Sequence, residues 1–131
     1  MIDVENHVFD AVYASVSGVV PQGNFASVYV PAPASFPFVT LMEMDNATDT
    51  RHLSTADDEE YAIVTYEANI YSMDKQECRR IADVLDRAMY KLNFTRLSMA
   101  FIPNLADRTI YRINSRYQAV ADTNNVMYRR A

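Results

Sequence analysis

The chain has 131 residues, half of them hydrophobic and 22% charged, with a net charge of −5, which is globular composition rather than disorder. The acidic balance excludes a broad cationic grip on nucleic acid, the single cysteine excludes an intrachain disulfide, and no apolar run approaches the ~18 residues that span a bilayer. Only Gly18 and Gly23 occur, too few for a phosphate-cradling loop.

One domain over residues 1–131 is expected, since a chain of this size buries roughly two-thirds of its unfolded surface around one core. Met1-Ile2-Asp3-Val4-Glu5 lacks the basic region of a signal peptide, so synthesis in a cytoplasm is expected.

Residues 3–17 read as a first helix. Val8, Phe9, Val12, Tyr13 and Val16 form one apolar stripe, with Asp3 as N-cap and Gly18 as stop. Pro21, Pro31, Pro33 and Pro37 then break the periodicity, and residues 19–37 read as an extended proline-rich arm with a short edge strand at Ser27–Val30. Such an arm is either a surface connection or a reach toward a neighbouring subunit.

A strand is expected over Phe38–Asp45, followed by a polar loop over 46–60 that ends in four consecutive acids, Asp57, Asp58, Glu59 and Glu60. Tyr61–Tyr71 alternates most clearly of all. Ala62, Val64, Tyr66, Ala68 and Ile70 share one face, and Ile63, Thr65, Glu67, Asn69 and Tyr71 the other.

The spacing predicts a second helix over 75–92, with Asp74 as N-cap and Glu77 completing a capping box. Cys78, Ile81, Ala82, Leu85, Ala88, Met89 and Leu92 form its apolar face; Arg79, Arg80, Asp83, Asp86 and Arg87 lie opposite. Strands follow at Thr95–Ile102 and Arg108–Val120, with a short terminal one at 125–129. In the longer strand Tyr111, Ile113 and Tyr117 face one way and Arg112, Asn114, Arg116 and Gln118 the other. The expected fold is α+β: a mostly antiparallel or mixed sheet of about four strands with two helices on one face, in the order α-β-β-α-β-β.

No constellation reads as catalytic. Cys78 falls on an apolar helix face, where a thiol behaves as a small hydrophobe, and His7 and His52 lack metal-ligand spacing. Asn46-Ala47-Thr48 and Asn93-Phe94-Thr95 match the glycosylation pattern but are idle without secretion. The Asp57–Glu60 run lacks the alternating acids and glycine of a calcium loop. No cofactor or metal is expected. A small enzyme would need a pocket of converging polar groups that the sequence does not announce.

Arginine and tyrosine are the side chains available for contact. Arg108, Arg112 and Arg116 interleave with Tyr111 and Tyr117, and Tyr128, Arg129 and Arg130 close the chain. Because Arg and Tyr alternate faces, they form no single stacking platform for single-stranded nucleic acid. The alternatives are a sheet with one buried and one solvated face, or an interface.

Several stretches carry a family likeness: Phe36-Pro37-Phe38-Val39-Thr40-Leu41; Tyr66-Glu67-Ala68-Asn69-Ile70-Tyr71-Ser72; Ile81-Ala82-Asp83-Val84-Leu85; and Ile110-Tyr111-Arg112-Ile113 with Arg116-Tyr117 and Val126-Met127-Tyr128. Over residues 36–130 the pattern resembles the tail terminator, or tail completion, proteins of long-tailed bacteriophages, also described as minor capsid or head–tail joining proteins.

The resemblance implies a virion protein at the head–tail junction and a small α+β fold. It implies a ring of identical subunits, a hexamer in that family, that caps the tail tube, stops its polymerisation and docks to the head-completion or neck protein. DNA would be passing cargo in the lumen, and no membrane is involved. The rival station in the same particle is a head-completion or neck adaptor ring. A ring needs two different surfaces of one subunit to meet. The acidic Asp57, Asp58, Glu59 and Glu60 and the ridge Arg108, Arg112 and Arg116 are the expected pair, with Tyr128, Arg129 and Arg130 as further contacts.

Overall fold

The computed structural model describes residues 1–28, 30, 33–48, 61–103 and 109–129. Two helices, α1 (Glu5–Val16) and α2 (Lys75–Lys91), accompany six strands: β1 (Phe25–Ala26), β2 (Phe38–Thr48), β3 (Tyr61–Ser72), β4 (Thr95–Ile102), β5 (Tyr111–Asp122) and β6 (Met127–Tyr128). The sheet runs β1-β2-β3-β5-β4, and β6 also pairs with β5. Only β1–β2 is parallel; every other pair is antiparallel. β3 occupies one edge of β5 along its whole length, so β4 and β6 share the other edge, β4 over Arg112–Gln118 and β6 at Val120–Ala121.

The long central pair sets the scale of the domain. β3 and β5 each have 12 residues and pair from Tyr61–Asp122 at one end to Ser72–Tyr111 at the other. At ~3.3 Å per residue these ends lie about 36 Å apart.

The expected alternation of β3 holds. Ala62, Val64, Tyr66, Ala68 and Ile70 are buried in the core, joined by Ile113, Tyr117, Ala119 and Ala121 of β5 and by Val39 and Leu41 of β2. α2 closes this face with Cys78, Ile81, Ala82, Leu85, Ala88 and Met89, and α1 adds Val8, Val12 and Val16. Each fully buried aliphatic side chain is worth roughly 1.5–3 kcal/mol over its exposed state, so this shared layer of helix and strand residues dominates the stabilisation. At the edge, Phe25 of β1 meets Phe9 and Tyr13 of α1 edge-on, at 4.7 and 5.6 Å between ring centroids.

The helix ends differ in how they are held. Asp74 caps α2 as expected, its carboxylate accepting the Gln76 N–H at 3.0 Å. The capping box does not close. Glu77 instead accepts the Ser72 hydroxyl at 2.7 Å, tying the helix to the end of β3. At the other end Asn93 takes φ 68, its N–H reaches the Tyr90 carbonyl and the Phe94 N–H reaches the Met89 carbonyl. That pair of bonds is a Schellman motif, and buried Phe94 packs beneath it. In α1 the cap position belongs to Val4, not Asp3. Asp3 still accepts the Glu5 N–H at 3.1 Å, one residue out of step, because Val4 is drawn into the core.

Other expectations need correction. The sheet has six strands rather than about four, because two-residue strands add to its edges. The edge strand in the 19–37 segment is Phe25–Ala26, not Ser27–Val30. Asn24 fixes it there: its backbone carbonyl takes the Val39 N–H, its side-chain amide donates to the Pro37 carbonyl at 2.9 Å, and its side-chain oxygen accepts the Ser35 hydroxyl at 3.0 Å. The base of the proline-rich segment is therefore clamped to β2. β2 itself runs on through Asn46–Thr48, which had been expected in the loop. A bulge between Glu43 and Asp45 breaks the alternation, and the strand then resumes pairing, Thr48 with Ala62.

Candidate interaction surface

Among the described residues no helix packs on the second face of the sheet, which carries a connected polar network. The register sets Asn69 opposite Asn114, Glu67 opposite Arg116 and Tyr71 opposite Arg112. Asn69 is only 1% exposed, and its side-chain oxygen accepts Arg112 Nε at 3.0 Å, Arg112 Nη2 at 2.9 Å and Asn114 Nδ2 at 3.0 Å. Its amide donates to Glu67 Oε1 at 3.3 Å, and Glu67 Oε2 takes Arg116 through Nε and Nη2, both at 3.1 Å. The Arg112 guanidinium also lies 5.7 Å from the Tyr71 ring centroid. Burial of Asn69 and Glu67 is tolerated because each is satisfied by a charged or amide partner.

The expected arginine ridge is thus present at Arg112 and Arg116, two positions apart on one face. Both guanidinium groups engage Asn69 and Glu67 of their own subunit. Arg108, Arg130 and the acidic Asp57, Asp58, Glu59 and Glu60 lie outside the described residues.

A second surface lies between α2 and β4. The Arg96–Asp86 ion pair, at 3.3 Å, bridges the two elements, and Asp86 also accepts the Tyr117 hydroxyl at 3.0 Å. Burial pushes the Tyr117 hydroxyl well above its usual range, so it stays a neutral donor. On one side of this bridge is a cleft of about 280 Å³ among Arg79, Ala82, Met99 and Phe101; on the other is one of about 230 Å³ among Tyr90, Phe94 and Tyr117. At the mouth of the first, Lys75 Nζ and Arg79 Cζ approach the Phe101 ring centroid to 5.4 and 5.2 Å. The i,i+4 spacing of Lys75 and Arg79 was visible in the sequence, but their common aromatic partner needed the fold.

The C-terminal residues expected at an interface divide between the two sides of the sheet. The Tyr128 hydroxyl donates to Asp122 Oδ2 at 2.9 Å. The Val126 N–H, followed by the Tyr128 hydroxyl and the Asn124 N–H, holds the Asp122 carboxyl below its usual range. Arg129 stacks over the Tyr90 ring at 4.0 Å and donates to the Tyr90 carbonyl at 2.8 Å, so a cation sits on the last turn of α2. Tyr90 is 62% exposed, and Val126 and Tyr128 are each nearly half exposed. Tyr128 and Arg129 therefore part company: Tyr128 packs on Tyr61, ring centroids 6.5 Å apart, on the sheet face away from α2, and Arg129 pairs with Tyr90, which is absent from the expected set.

Cys78 is buried, donates to the Ile70 carbonyl at 3.4 Å, and its thiol is pushed up to about 11 by burial. His7 is exposed on α1, and His52 lies outside the described residues. Among the described residues no three His, Cys, Asp or Glu side chains gather as metal ligands, and no helix is long and apolar enough to cross a membrane.

No protein-family model matches the chain, and no curated protein matches it. Among solved structures, it is similar to a chain in the virion of a native gene transfer agent particle. The two share 11% identity over 88% of this chain and 91% of the other, with a TM-score of 0.64. At that identity the likeness is one of fold.

Proposed function

We propose that this protein is a structural subunit of a phage-like virion, working as a ring at the head–tail junction. It caps the tail tube, stops tube polymerisation and docks to the head-completion or neck protein, while DNA passes through its lumen. The observation that carries this reading is the near full-length fold likeness to a chain of a gene transfer agent virion, which extends to both proteins almost completely. It is supported by the resemblance of residues 36–130 to tail terminator proteins. The surfaces are also consistent with it: clefts bounded by a bridged ion pair and a neutral tyrosine, and exposed Tyr, Arg and Val side chains rather than a poised nucleophile. We place the ring contacts in the acidic tract 57–60, the cationic residues at the opposite end of the sheet, and the Tyr90–Arg129 pair, with Arg112 and Arg116 bracing the second face of the sheet.

The test is growth of tail tubes from purified tube protein, followed by light scattering. Substoichiometric addition of this protein should arrest elongation at a length set by the ratio of the two. Unchanged elongation, with binding to DNA-filled heads instead, would move the protein to the neck adaptor station. Binding to neither would refute the proposal.

A further inference from the structure

The ends of the sheet differ in charge. α2 starts just beyond Ser72, at the end where β3 and β5 meet as Ser72–Tyr111. Its first two turns expose Lys75, Arg79 and Arg80, and among the described residues no carboxylate is ion-paired with any of the three. The nearby acids are committed elsewhere: Asp74 to the Gln76 N–H, Glu77 to the Ser72 hydroxyl, and the two carboxylates that line the cleft, Asp83 and Asp86, to Arg87 and Arg96. Lys75 and Arg79 are held over Phe101, so the two cations are presented on a fixed platform beside the 280 Å³ cleft. Two like charges one helical turn apart repel each other unless an anion lies between or above them.

Such an anion is encoded in the chain. Asp57-Asp58-Glu59-Glu60 immediately precedes Tyr61, the first residue of β3 at the opposite end of the sheet. Four residues reach at most ~14 Å, whereas β3 separates Tyr61 from Ser72 by about 36 Å. A subunit therefore cannot bring its own tract to its own Lys75 and Arg79. A second copy can.

We infer that Lys75 and Arg79, over Phe101, receive the acidic 57–60 tract of a neighbouring copy, an inference that rests on the ring reading and names its subunit contact. The contact is heterologous, acid end to cation end, and such contacts close into rings or extend as filaments. It differs from pairing with Arg112 and Arg116, whose guanidinium groups are already engaged by Asn69 and Glu67.

The chain has only two lysines, Lys75 and Lys91, at opposite ends of α2, which makes a zero-length carbodiimide crosslink diagnostic. Full-length protein at low salt should form covalent dimers in which mass spectrometry finds Lys75 joined to residues 57–60. The link should disappear at about 0.5 M salt, where screening is short-ranged. Self-association should weaken at least about tenfold in K75E/R79E and in D57K/D58K/E59K/E60K, and return when the two variants are mixed. Lys75 and Arg79 are exposed, and circular dichroism would verify the fold of both variants.

Covalent dimers without the Lys75 link, reversal variants that associate normally, or no dimer at all would overturn the contact. If K75E/R79E lost oligonucleotide binding with self-association unchanged, the surface would belong to nucleic acid and the inference would also fall. A ring that persists by mass without the link removes this contact but leaves the ring standing; the tube-elongation assay decides the ring reading separately.

Discussion

Replacing Asn69 by alanine tests whether the second face of the sheet is organised as described. Asn69 is almost wholly buried and its oxygen holds three donors, two of them on the Arg112 guanidinium. Hydrogen bonds to charged groups contribute about 1.5–3 kcal/mol each, but Arg112 and Asn114 are partly exposed and can turn to water. The sum is therefore not reached, and a loss of about 2–3 kcal/mol is expected. In urea, with a slope of roughly 1–3 kcal/mol per molar for small domains, the midpoint should fall by about 1–2 M. Arg116→Ala is the control. Its guanidinium is half exposed, and Glu67 keeps the Asn69 amide, so the expected loss is about 1 kcal/mol or less. If Asn69→Ala lies within about 0.5 kcal/mol of wild type, the network does not support the sheet and the reasoning is refuted.

Asp74→Ala removes the α2 cap and should lower stability by about 1 kcal/mol in the same urea assay, while Asp3→Ala, which fills no cap position, should fall well below that. Asn93→Ala should lose on the order of 1–2 kcal/mol, since alanine lacks the short polar side chain that lets asparagine tolerate φ 68 and drops the 3.0 Å bond to the Met127 carbonyl; thermal unfolding would read it. The folded Cys78 thiol titrates near 11 against an ordinary value of 9.0, and burial also raises Tyr66 and Tyr117. The unfolded chain therefore releases these protons first, and stability should be complete below about pH 9 and decline progressively from there to pH 11. Cys78→Ala should flatten part of that decline in urea titrations at the two pH values.

The parts of the fold legible in the sequence are those where one strong local signal decides. Val8, Val12 and Val16 mark the buried stripe of α1, the even residues of β3 mark the core face, and Asp74 marks the start of α2. The misread parts depend on partners distant in the chain. β1 exists where Asn24 grips Ser35, Pro37 and Val39, and nothing local to Phe25–Ala26 announces a strand. Asn46–Thr48 looks like loop because a bulge shifts the alternation and these residues lie on a solvated stretch of β2. The arginine ridge was visible as a pattern, but its engagement by Asn69 and Glu67 is a consequence of the β3–β5 register. In the same way Tyr90 became the partner of Arg129 only once β6 brought that residue onto the end of α2.

Imaging of tail tubes incubated with the purified protein bears most directly on the proposal that the protein is a ring subunit of the particle. The expected image is a closed ring of this chain at one end of each tube, with neighbouring copies meeting acid end to cation end. Density scattered along the tube walls, or bare tube ends with the protein left as single subunits in solution, would contradict it.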